Sequence, residues 1–108
     1  MKVLSPYFRV TFRASLPLEA VANLISVRIA PGGVWTLDKS GYYEEVPALR
    51  MSPPMLGMAL FLIEQQPSQL YTFEGRFVTE DRTVVHDPVD VSAAIQLLIE
   101  NENAFDRA

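Results

Sequence analysis

The chain's single imidazole, His86, is followed directly by Asp87. A histidine steered by a carboxylate is the usual general base. Adjacent residues on a strand point to opposite faces, however, and Asp87 before Pro88 reads better as the cap of a helix, so the pair is weak ground for catalysis. There is no cysteine, and no Gly-x-Ser-x-Gly elbow frames a serine nucleophile. One His without any Cys also falls short of an ordinary transition-metal ligand set. The carboxylate pairs Glu44–Glu45 and Glu80–Asp81 lie in expected hairpin or turn positions, where solvated side chains are the plainer account. Pro31-Gly32-Gly33 lacks the Lys and Ser/Thr of a phosphate loop and reads as a turn. No catalytic residue, metal or cofactor is expected, and the protein is read as non-enzymatic.

Two constellations suit binding. Arg9 and Arg13 share the polar face of one strand pattern and Arg76 that of another, so neighbouring strands would gather three guanidinium groups into an anion-binding patch. Cross-strand pairing with Glu74 or Glu44 is the competing arrangement. Trp35, Tyr42, Tyr43, Glu44 and Glu45 concentrate aromatic area and negative charge in one predicted hairpin. Aromatics of this kind anchor interfaces, and carboxylates beside them steer a basic partner. The alternative for Trp35 is a place in the sheet core, since one face of an alternating strand must be buried.

The elements that would position these groups follow from periodicity. Tyr7 to Ala14 alternates, with Phe8, Val10, Phe12 and Ala14 on one side, and predicts a half-wet strand. Leu18, Val21, Ala22 and Ile25 fall at helical spacing and predict a helix over residues 16–26 behind Ser15 as cap. Val34–Leu37 and Tyr42–Val46 flank a polar turn and predict a hairpin. Ser52 to Gln66 is nearly all apolar from Met55 to Ile63. Its Ser-Pro-Pro start favours a helix, against the alternative of a strand over residues 58–64 buried on both faces. Leu70 to Thr79 alternates as a strand, with Thr83 to His86 pairing back on it. A last helix behind Asp87 would bury Val91, Ala94, Ile95 and Leu98, leaving a fraying tail.

The expected fold is α+β: an antiparallel sheet of about four to five strands with two to three helices packed on one face, in the order β-α-β-β-α-β-β-α, as a single domain over residues 1–108. The apolar fraction of 49% with 20% charged residues is that of a globular chain, and neither a signal peptide nor a membrane-length apolar run is visible. A cytoplasmic location follows as the expectation. The net charge of −4 argues against nucleic acid as a partner and favours a basic one. These features suggest a small acidic protein-binding domain, for instance an immunity-type inhibitor of a bacterial toxin. A small-molecule binder or enzyme with a pocket between sheet and helices, and a self-associating structural protein forming a homodimer through a strand edge, are the alternatives.

Overall fold

The computed structural model describes residues 2–37, 47–55, 57–77 and 83–108. The chain forms β1 (Lys2–Arg13), α1 (Leu18–Arg28), β2 (Val34–Leu37), β3 (Ala48–Met55), β4 (Met58–Gln66), β5 (Leu70–Phe77), β6 (Val85–Asp90), α2 (Ser92–Glu100) and β7 (Asp106–Arg107). All seven strands belong to one sheet of order β2-β3-β4-β5-β1-β6, with β7 also pairing β1. Every pairing is antiparallel except the parallel contact of β1 with β6. This corrects the predicted fold class. There are seven strands instead of four to five, only two helices among the described residues, and an order of β-α-β-β-β-β-β-α-β.

The largest correction is the segment from Ser52 to Gln66, which is a hairpin and not a helix. Met55 pairs with Met58, so the chain reverses over two residues, and Gly57 takes a φ of 76° that costs a glycine little. Ser52-Pro53-Pro54 lies where the β3–β4 register shifts between Met51 and Met55, an irregularity that accommodates residues without an N–H to donate. The apolar run that follows is β4, buried on both faces from Met58 to Ile63 because it lies inside the sheet.

β2 pairs residues 49–52 of β3, while the 42–46 stretch expected as its hairpin partner lies outside the described residues. Two further expectations change. β6 runs parallel to residues 2–7 of β1 instead of folding back on β5, so Asp87 and Pro88 are strand residues. The tail is tied down: Phe105 is buried against Phe12 at a ring separation of 4.6 Å, and Arg107 pairs with Glu100.

The core lies on one face of the sheet. Phe8, Val10 and Phe12 of β1, Tyr71 and Phe73 of β5, and Leu60 and Leu62 of β4 form it with Leu18, Val21, Ala22 and Ile25 of α1 and with Ile95 and Ile99 of α2. The stripe of α1 sits where its spacing places it. α1 has no side-chain cap, its N-cap position being Pro17 and not Ser15. In α2, Ala94 and Leu98 stay exposed while Ile95 and Ile99 turn inward. The start of α2 is fixed to β1, with Val91 N–H donating to Tyr7 O at 2.9 Å and Arg9 N–H to Ser92 Oγ at 3.0 Å. Asp90 accepts from Ser92 N–H at 2.9 Å, and its hydrogen bonds to Ser92 hold its carboxyl below the usual value.

Gly75 faces Phe8 across the β1–β5 pair, and a Cβ there would stand 2.3 Å from the Phe8 ring. The missing side chain is what lets that ring meet Phe73 edge-on at 4.8 Å. Tyr71 is fully buried, and its hydroxyl donates to Leu16 O. Burial, then the nearby Glu64 carboxylate, raise its pKa above the ordinary 10.0.

Candidate binding face of the sheet

Strand alternation sends a different set of side chains to the face away from the helices. Arg50 of β3 stands opposite Phe61 of β4, Phe61 opposite Glu74 of β5, and Glu74 opposite Arg9 of β1, a single row across four neighbouring strands. Arg76 follows two residues after Glu74 on the same face. The Arg50 and Arg76 guanidinium carbons lie 5.5 and 5.4 Å from the centre of the Phe61 ring, within cation–π range. Phe61 is only 7% exposed, and with Ala48, Ala59 and Ile63 it makes a second apolar cluster on this face.

Glu74, 8% exposed, is held by Arg76 Nη2 at 3.1 Å and approached by Arg9 Nη1 at 4.0 Å. Arg9 and Arg76 thus converge on one carboxylate. Arg13 lies on the same face but four residues further along β1, opposite Leu70 and exposed. Among the described residues neither Arg13 nor Arg50 forms an ion pair. Two guanidinium groups therefore meet at one carboxylate, with Arg50 on the far side of Phe61. A depression of about 400 Å³ opens at the β1–β5 end of the row, beside Tyr7, Arg9, Glu74, Arg76 and Phe77.

Of the predicted aromatic and acidic constellation, Trp35 is the described member. Its indole is half-buried on the helix-covered side, edge-on to Phe73 at 6.4 Å. The indole N–H donates to Ala22 O at 2.9 Å and to Ser26 Oγ at 2.7 Å, so it pins β2 to α1. Tyr42, Tyr43, Glu44 and Glu45 lie outside the described residues, as do Glu80 and Asp81.

His86 does not meet Asp87. Its Nδ1 shares a 2.6 Å hydrogen bond with Ser5 Oγ and its ring stacks on Phe77 at 5.1 Å, while Asp87 pairs with Lys2 at 3.7 Å. Among the described residues, no group of three metal-ligating side chains comes together.

Arg50 and Phe61 are the members of the row that sequence reasoning missed. A helical reading of residues 52–66 put Phe61 in an undifferentiated core and Arg50 in a connection. The signal was the alternation of Ala59, Phe61 and Ile63 with Met58, Leu60 and Leu62, masked because both sets are apolar. No protein family, curated protein or solved structure matches the chain. No helix among the described residues is long and apolar enough to cross a membrane.

Proposed function

We propose that the protein is a non-catalytic protein-binding domain that meets its partner with the face of the sheet opposite its helices. The observation that carries this reading is the layering of that face. Both helices cover the other side, while here an apolar cluster around Phe61 meets the guanidinium groups of Arg50 and Arg76, from the strands on either side of it. Arginine and buried aromatic groups are what interface centres are enriched in. An immunity-type inhibitor is one form of such a domain, since neutralising a toxin needs only that a surface be covered. The expectation of a basic partner rested on the total charge and on Glu44 and Glu45.

A photo-crosslinking amino acid placed at exposed Thr36, beside the row, should capture one stoichiometric protein in the native source. The same group at exposed Asn23 on α1 should capture none. Equal capture at both positions, or none at Thr36, would reject this face as the interface.

The small-ligand reading is favoured by a separate observation, the depression beside Tyr7 and Phe77, whose volume of about 400 Å³ falls in the usual range for ligand pockets. A melting-temperature screen with small carboxylates and metabolites checks it, because a ligand of the folded form raises Tm. A flat response removes it.

A further inference from the structure

The first half of β1, the β3–β4 turn and β6 flank a second depression, of about 380 Å³, walled by Val3, Leu4, Pro6, Pro54 and Phe77. Its volume falls in the range of small-ligand sites, and among the described residues no charged side chain lines it. The polar side chains in its wall are those of Ser5 and His86.

His86 is held from two sides. Its ring stacks on Phe77 at 5.1 Å, and Nδ1 lies 2.6 Å from the hydroxyl oxygen of Ser5, a residue only 3% exposed. That hydroxyl has no other partner. Were Nδ1 the donor, the Ser5 hydrogen and a bare Nε2 would both be left unmatched. With Ser5 as the donor, Nδ1 accepts, the neutral ring carries its hydrogen on Nε2, and that hydrogen alone is unmatched. Nε2 is shut off from solvent and has no hydrogen-bond partner. A buried donor without an acceptor is uncommon in folded proteins, and a few fixed polar groups in an apolar wall are what orient a small ligand.

We infer that this depression binds a small uncharged molecule, mainly apolar, whose carbonyl oxygen accepts a hydrogen bond from His86 Nε2. The site is distinct from the sheet face proposed to meet a protein and from the depression beside Tyr7 and Arg9, and it depends on neither.

The wall selects the class of ligand. A carboxylate or an ammonium group would lose its hydration with no opposite charge beside it, whereas a ketone or ester loses less and supplies the acceptor. Lys2, next to Val3, is paired with Asp87 at 3.7 Å. Nε2 lies beneath the wall, so the carbonyl reaches it through a side-chain movement of the kind common on binding. Leu4, 72% exposed, is a wall residue with room to make one.

His86 is the chain's one imidazole, so long-range proton–nitrogen NMR spectra of the labelled chain read its two ring nitrogens directly. The probes are acetophenone and cyclohexanone, each compared with the analogue in which methylene replaces the carbonyl oxygen, α-methylstyrene and methylenecyclohexane. The free chain should carry the hydrogen on Nε2. At least one ketone should shift the Nε2 resonance saturably and bind about fivefold tighter than its analogue, the worth of one neutral hydrogen bond. In His86→Phe, which keeps a ring against Phe77, ketone and analogue should bind alike, as followed by the amide resonances of Val3 and Leu4. Thermal melting confirms that the variant is folded.

A ring hydrogen found on Nδ1 overturns the proposal, as does failure of both ketones to shift Nε2 or equal binding of ketone and analogue to the unmodified chain. Benzoate bound as tightly as acetophenone overturns the uncharged class. A long-lived water on the Nε2 hydrogen that neither ketone displaces overturns the site in favour of a buried water.

Discussion

Tyr71 combines two demands that a sequence states separately. Its ring fills the core against Phe12, and its hydroxyl must find an acceptor there, which Leu16 O supplies. Tyr71→Phe should cost about 0.5–1.5 kcal/mol, the usual net worth of such a bond. The pH dependence has a definite sign. A tyrosine whose folded pKa is raised binds its proton more tightly in the native state. Its contribution is complete below the unfolded value near 10.0 and is lost as pH rises through the folded value. Chemical denaturation between pH 8 and about 11 should therefore show wild-type stability falling at the alkaline end, with a shallower fall in Tyr71→Phe. Identical slopes would mean that burial of the hydroxyl is not felt in the native state. The arginine face was partly legible at this same scale. Arg9, Glu74 and Arg76 could be placed on polar faces by alternation, but that Arg9 stands opposite Glu74 depends on β1 pairing with β5, a contact between distant parts of the chain.

At the scale of elements, alternation and helical spacing placed β1, α1 and β5 but misassigned half of the α2 stripe, where Ala94 and Leu98 are exposed. β1, α1 and β5 follow from their patterns because each carries charged residues on its outer side. β4 does not, since a strand inside the sheet has apolar residues on both faces and shows no period of two. Its neighbour Gly57 was the readable clue: taken as a flaw in a helix, it is the turn that makes the hairpin. A Cβ at Gly57 would meet nothing within 4 Å, so the constraint there is backbone conformation alone. Gly57→Val should lower stability by about 1–2 kcal/mol in urea denaturation, the cost of a left-handed conformation for a side chain that resists it. Gly57→Asn should cost clearly less. Equal effects would show that the turn had changed type. The parallel β6 was unreadable for a different reason, since nothing in Val85–Asp90 distinguishes pairing with β5 from pairing with β1.

For the whole molecule, total charge does not specify any one surface, since the row across the sheet holds Glu74 together with Arg9 and Arg50. The C-terminal residues also matter more than their composition suggests. Phe105, 5% exposed, closes the core beside Phe12, while Arg28 to Glu102 and Arg107 to Glu100 fasten the chain after α2. Phe105→Ala should destabilise by about 3 kcal/mol, in the range for emptying a buried aromatic site. A change below about 0.5 kcal/mol, the level of an ordinary surface substitution, would show that the tail packs only loosely.

The place of β1 in the sheet has a consequence for biosynthesis. Its described neighbours are β5, β6 and β7, all from Leu70 onward, so β1 leaves the ribosome well before any strand that will flank it. At ordinary translation rates this long strand, apolar on one face, waits on the order of several seconds with both edges unpaired. The nascent chain is then a natural client for a holding chaperone, and its folding is set by the arrival of its latest residues rather than its earliest.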